Sequence, residues 1–156
     1  MFDPQQIRKW MRKNDPERRV PPFFQPIDEI MGQIHEKGEF ELYESGLLRS
    51  GFPVQISEHH PACAGPHTDY PHHHDFFEMI YVPFGEMVNV INGGEEVSLN
   101  NRQLLLMNPD TRHILQCHDK SAVIYNINLK RSFVEKTLIN LIEKDYTIFH
   151  FFFNST

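Results

Sequence analysis

At 156 residues, 40% of them apolar and 23% charged, the chain has the size and balance of one globular domain with short appendages. No apolar run reaches the ~20 residues of a membrane helix, and the N-terminus lacks the apolar stretch of a secretory signal. A cytoplasmic protein is therefore expected, with Cys63 and Cys117 as reduced thiols. A net charge of −6 argues against this chain gripping a phosphate backbone by itself, since that affinity comes from lysines and arginines.

The predicted elements begin with two short helices. Asp3 caps the first, Pro4 follows it, and Asn14-Asp15-Pro16 ends it. Ile27, Ile30, Met31 and Ile34 make the apolar stripe of the second, which Gly38 stops. The basic cluster from Arg8 to Arg19 reads as a solvated face. From about residue 39 the period changes to two. Strands are expected at 39–43, 53–57, 77–82, 87–91, 96–99, 103–107, 113–116 and 122–129. Turn chemistry separates them at Gly85, Asn92-Gly93-Gly94, Asn100-Asn101, Asn108-Pro109-Asp110 and Asp119-Lys120. Asn-Gly is a hairpin signal, and short strands at this spacing suggest a sandwich or a barrel. Helical period returns at 131–145, with Ser132 and Glu135 as a capping box and Val134, Leu138, Leu141 and Ile142 as its apolar face. A Phe-rich run then leads to Thr156.

Ten histidines are present, and six of them fall between residues 59 and 74. His59, His60 and His67 lie in a Pro-rich stretch read as a loop. His72, His73 and His74 precede a strand. Residues i and i+2 of a strand share a face, so His72, His74 and Glu78 are placed together and His73 opposite. A further ligand must come from another strand, and His113 is the best placed. Mixed imidazole and carboxylate ligation suits Zn, Fe, Ni, Cu or Mn, and spacing does not choose among them. Cys117-His118 reads as structural.

The spacing His72-x-His74-x3-Glu78-x6-Gly85 is similar to the first motif of the cupin superfamily, H-x-H-x(3,4)-E-x6-G. The second cupin motif is degenerate here. Pro109 and His113 are present one residue too close, and Cys117 stands where Asn would be. A longer pattern, H-x-H-D-F-x-E-x-x-Y-V-x-x-G, then I-N-G, then L-x-x-G-D-L-L-L-x-x-P-x-x-x-H, resembles the N-terminal effector-sensing domain of AraC-type transcription regulators. It is carried by His72, His74, Asp75, Phe76, Glu78, Tyr81, Val82, Gly85, Ile91, Asn92, Gly93, Leu99, Leu104, Leu105, Leu106, Pro109 and His113. Asn101 and Arg102 are taken to stand in place of Gly-Asp. The resemblance covers about residues 53–150.

That resemblance implies a mainly β fold: a cupin, or double-stranded β-helix barrel, with flanking N-terminal and C-terminal helices. The expected division is a helical arm at 1–50, the sensor barrel at 51–130, and a C-terminal helix and linker at 131–156. The linker leads toward a DNA-binding helix-turn-helix part outside this chain, through which alone DNA would be contacted. A small-molecule effector is the expected partner, with Phe76, Ile80, Val82, Val90, Leu104 and Leu106 lining its pocket. His72, His74, Glu78 and His113 are its polar focus and could hold a divalent transition metal (Zn, Ni, Fe, Mn or Cu). A homodimer through helix 131–145 or the terminal segments is expected, with no membrane contact and no catalysis. The alternatives are a stand-alone metal-dependent cupin enzyme, a dioxygenase or isomerase, and a storage or scaffold cupin.

Overall fold

The computed structural model describes residues 27–47, 52–59 and 70–138. The expected first helix, the loop histidines His60 and His67, Cys63, and everything after Leu138 lie outside the described residues. The described elements, in order, are α1 (Ile27–Lys37), β1 (Phe40–Leu42), α2 (Glu44–Leu47), β2 (Val54–His59), β3 (His72–His74), β4 (Phe77–Phe84), β5 (Met87–Ile91), β6 (Glu95–Leu99), β7 (Gln103–Met107), β8 (His113–Gln116), β9 (Val123–Leu129) and α3 (Arg131–Phe133), which runs on into a π-helical turn, Val134–Leu138.

The strands form two sheets. The larger has the order β1-β3-β8-β5-β6 and the smaller β2-β9-β4-β7. Among the described residues only β1 and β3 pair in parallel. Ile80 and Val82 of β4, Leu105 and Met107 of β7 and Ile124 of β9 meet Met87, Val97, Leu99 and Leu115 from the other sheet in one apolar cluster. Burying each large aliphatic side chain there stabilises by about 1.5–3 kcal/mol. The fold is mainly β, a cupin barrel with helices at either end of the described chain.

Two smaller clusters sit at the edges. Ile30 and Ile34 of α1 close over Phe40, Leu42 and Phe76. Met31, expected on the same stripe, is 47% exposed, because the buried face of α1 is only as wide as Ile30 and Ile34. On the outer face of the smaller sheet, Phe77 and Leu129 are covered by Val134. The capping box at its start is not formed: Lys130 is the N-cap, without a side-chain cap bond, and Ser132 is already helical.

The turns explain several motif residues. Asn92 and Gly93 both take left-handed φ, 49° and 80°, and close the β5–β6 hairpin as their sequence predicts. Gly85 turns β4 into β5 at φ 86°. A Cβ there would lie 2.5 Å from Asp119 Oδ2 and 2.6 Å from Ala122 Cα, so only glycine fits. Before β7 the left-handed residue is Arg102, φ 67°. Counting from Leu99, Arg102 and Gln103 therefore occupy the places of Gly-Asp, one position later than expected.

Candidate functional site

His74, Glu78 and His113 converge inside the barrel, although His74 and Glu78 do not share a strand. β3 ends at His74 and β4 begins at Phe77, and the two belong to different sheets. The chain turns a corner at Asp75-Phe76. Asp75 fixes that corner: its N–H donates to Leu42 O, and its Oδ1 accepts from the Glu44 N–H at 2.5 Å. Phe76 fills the space beneath α1 and stacks on the His74 ring, centroids 4.4 Å apart. Beyond the Asn108-Pro109-Asp110 turn, the Asp110 N–H donates to His74 O at 2.8 Å. That bond ties the turn before β8 to β3.

All three residues are buried, with His74 at 1%, His113 at 2% and Glu78 at 5% exposure. Both imidazoles are oriented by backbone carbonyls, which can only accept. His74 Nδ1 donates to Phe76 O at 2.7 Å and His113 Nδ1 to Thr111 O at 3.1 Å. Each Nε2 therefore faces the third residue, at 3.2 Å and 3.4 Å from Glu78 Oε2. Burial pushes the Glu78 carboxyl up. Hydrogen bonds from His113 and His74, and their charge, outweigh it and hold the carboxyl well below the usual carboxylate range.

This donor set fits a divalent metal. A tetrahedral ion with ligands at about 2.0–2.1 Å needs donors roughly 3.3 Å apart. The two separations from Glu78 Oε2 bracket that, and one ligand atom from each residue lies within 4.8 Å of the others. Second-ring nitrogens bonded to carbonyls are the usual way to aim metal-binding histidines. The same separations also allow protonated imidazoles to donate to the carboxylate.

His72, expected as a ligand, stands beside this trio and not within it. It is paired in register with both Phe40 and His113. Its ring stacks on Phe40 at 5.0 Å and lies 4.1 Å from the His113 ring. His73 faces the other way, as parity predicts. His59, read as a loop residue, ends β2, opposite Ile124.

The expected pocket lining divides. Ile80 and Val82 point inward and are fully buried, and Phe76 is buried at the corner. Leu104, Leu106 and Val90 do not line the interior. Leu104 is 51% exposed, because Leu105 and Met107 are the β7 residues that pair on the inward face, with Ile80 and Glu78. On β5 the inward residue is Asn89, so its neighbour Val90 faces out. Sequence reasoning missed Asn89 and Asn128, both buried. Their only signal was parity with Met87 on β5 and with Ile124 on β9.

The chain belongs to the family of AraC-like ligand binding domains, which it matches over residues 58–153. No curated protein sequence matches it. Among solved structures, a cupin protein from Bacteroides fragilis is 24% identical, over 56% of this chain and 72% of that one, with a TM-score of 0.37. The EutQ protein of Clostridium difficile is 17% identical, with a TM-score of 0.37. That match covers 49% of this chain and spans only 55% of the EutQ chain. A predicted oxalate decarboxylase from Thermotoga maritima is 17% identical over 49% of this chain and 64% of that one, with a TM-score of 0.38.

Proposed function

We propose that this chain is the effector-sensing domain of an AraC-type transcription regulator. A small molecule, a divalent metal, or both would bind inside the barrel at His74, Glu78 and His113 and bias a helix-turn-helix unit not contained in these residues. The carrying observation is the coincidence of a ligand-binding family with three ionisable side chains buried where a purely structural barrel would be apolar. Cytoplasmic location and a homodimer through the segment after β9 belong to the same reading. Among the described residues no helix is long and apolar enough to cross a membrane.

Native mass spectrometry of the chain, purified without chelator, tests it. A stoichiometric metal or small molecule that is lost in His113→Ala supports the proposal. A wild-type chain that stays empty after exposure to divalent metals and to a cell extract defeats it. One observation favours a second reading: three protein donors leave coordination positions open, as in catalytic metal sites. A bound metal there would supply Lewis acidity. Metal-dependent turnover of an organic acid would move the enzyme reading to first place.

A further inference from the structure

Glu44 joins the corner that carries His74 to the helix that follows the barrel. At that corner the His74 ring stacks on Phe76 and its Nδ1 donates to Phe76 O, so a shift of His74 is passed to residues 75 and 76. Asp75 is bonded twice to the segment that runs from β1 into α2. Its N–H donates to Leu42 O at 3.3 Å, and its Oδ1 accepts from the Glu44 N–H at 2.5 Å. Glu44 then reaches out of that segment. Its Oε2 accepts from the Arg131 N–H at 3.0 Å, across 87 positions of sequence. Arg131 opens α3, and the first N–H groups of a helix have no partner within it. The N-cap residue, Lys130, makes no side-chain bond to them. Glu44 therefore caps α3 from a distant part of the chain, through a charge-assisted bond.

The place of this cap gives it a consequence. The chain leaves the smaller sheet at Leu129, the end of β9, and α3 begins two residues later. We propose that Glu44, acting through Asp75, couples occupancy of the His74–Glu78–His113 site to the start of α3. Contact alone does not make coupling; a ligand must favour one of two arrangements. The arrangement in which Glu44 caps α3 is also the one in which His74 and His113 Nε2 lie 3.2 and 3.4 Å from Glu78 Oε2. Those separations are close to what a tetrahedral ion requires. An ion held there selects this arrangement, and with it the cap. Linkage makes the effect reciprocal, so loss of the cap weakens ion binding by the factor by which the ion strengthens the cap. This rests on the three-donor site being the sensing site and adds how its occupancy is passed out of the barrel.

The backbone allows the link to be cut on its own. Lys130 has φ −57° and ψ 134°, the conformation a residue before proline prefers, and proline is favoured at the first helical position. Arg131→Pro thus deletes the N–H that Glu44 accepts and keeps the helix start. Arg131→Ala keeps that N–H and removes only the exposed side chain with its Glu135 contact. Glu44→Ala removes the acceptor, while the residue 44 N–H can still bond Asp75. Zinc is titrated by calorimetry into the full chain and the three variants. Amide exchange of residues 132–138 is followed with and without zinc, and each metal-free protein is melted. Zinc should slow that exchange in wild type and in Arg131→Ala, which should bind alike. Arg131→Pro and Glu44→Ala should bind zinc about fivefold more weakly or worse, the lower end of ordinary coupling, and lose the slowing. Unchanged zinc affinity in either variant overturns the coupling whatever its melting temperature, since a bond that only braces the fold alters stability and not affinity. If one variant does not fold, the other decides. An affinity loss in Arg131→Ala also overturns it, because the N–H is intact there. Zinc uptake by wild type with no change in exchange removes the coupling and leaves the sensing site standing. A wild-type chain that takes up no zinc removes the three-donor site, and the coupling falls with it.

Discussion

Gly85→Ala isolates the fold from the site. The motif that contains His72, His74 and Glu78 ends on Gly85, so loss of this glycine could be read as loss of chemistry. The structure assigns it to the β4–β5 turn instead. Its φ is 86°, and holding an alanine in left-handed conformation costs about 1–2 kcal/mol. The new methyl would lie 2.5 Å from Asp119 Oδ2, 2.6 Å from Ala122 Cα and 2.7 Å from Ala122 Cβ. The carboxylate cannot simply swing away, since Asp119 Oδ1 accepts from Ser121 N at 2.8 Å and Oγ at 2.6 Å. Ala122 is held where β9 begins, its N–H bonded to Asp119 O. Overpacking of this kind costs roughly 1–3 kcal/mol. The sum, about 2–5 kcal/mol, is a large part of a typical domain's ~5–15 kcal/mol and corresponds to a fall in Tm of roughly 10 °C. Glu78 lies about 20 Å back along the strand, so metal affinity below the transition should not change. Urea melts and metal titration of the same samples give both numbers. Gly94→Ala is the control, because nothing stands within 4 Å of its added Cβ. A Gly85→Ala loss below about 1 kcal/mol, or an affinity loss without a stability loss, would refute the reasoning.

Glu78→Gln should lower metal affinity at least tenfold on the order of second-shell effects or more, while leaving far-ultraviolet circular dichroism unchanged; retained affinity by isothermal titration would contradict the three-donor site. The folded carboxyl of Glu78 is depressed, so its contribution to stability is complete above the unfolded value of about 4.3 and is lost as pH falls through the folded value. Urea midpoints of the metal-free chain should therefore decline below about pH 4.3, and Glu78→Gln should flatten that decline. Burial raises the Cys117 thiol, helped by the charges of Asp119 and Glu86 against a hydrogen bond to the Asp119 backbone that lowers it. In a Cys63→Ser background, alkylation of Cys117 should be slower than that of a free thiol at pH 8, and should accelerate on unfolding.

Strand positions were legible because alternation and turn residues agree along this chain: 87–91, 103–107 and 113–116 were expected with the bounds they have. His74, Glu78 and His113 were legible too, although for an incomplete reason. Parity along one strand placed His74 with Glu78, whereas the chain reaches that geometry by turning a corner between sheets. The pairing of β3 with β1 sets His72 against Phe40. Facing could not be read where both faces of a strand are apolar. Leu104 and Leu106 look no less like core than Leu105 and Met107, and only the pairing of Leu105 with Ile80 decides. Asn89 and Asn128 were hidden by their type, since an asparagine in an alternating strand ordinarily marks the wet side.

Phe76 touches two regions that sequence comparison treats as separate. Its ring stacks on that of His74, and its side chain belongs to the cluster under α1. Four of that cluster's five members, Ile30, Ile34, Phe40 and Leu42, precede residue 51, and the family match begins only at residue 58. A gene fragment trimmed to the family's limits would therefore strip the backing from a ring that positions a site histidine. The family match and the packed cluster behind the site histidine begin at different places in the chain.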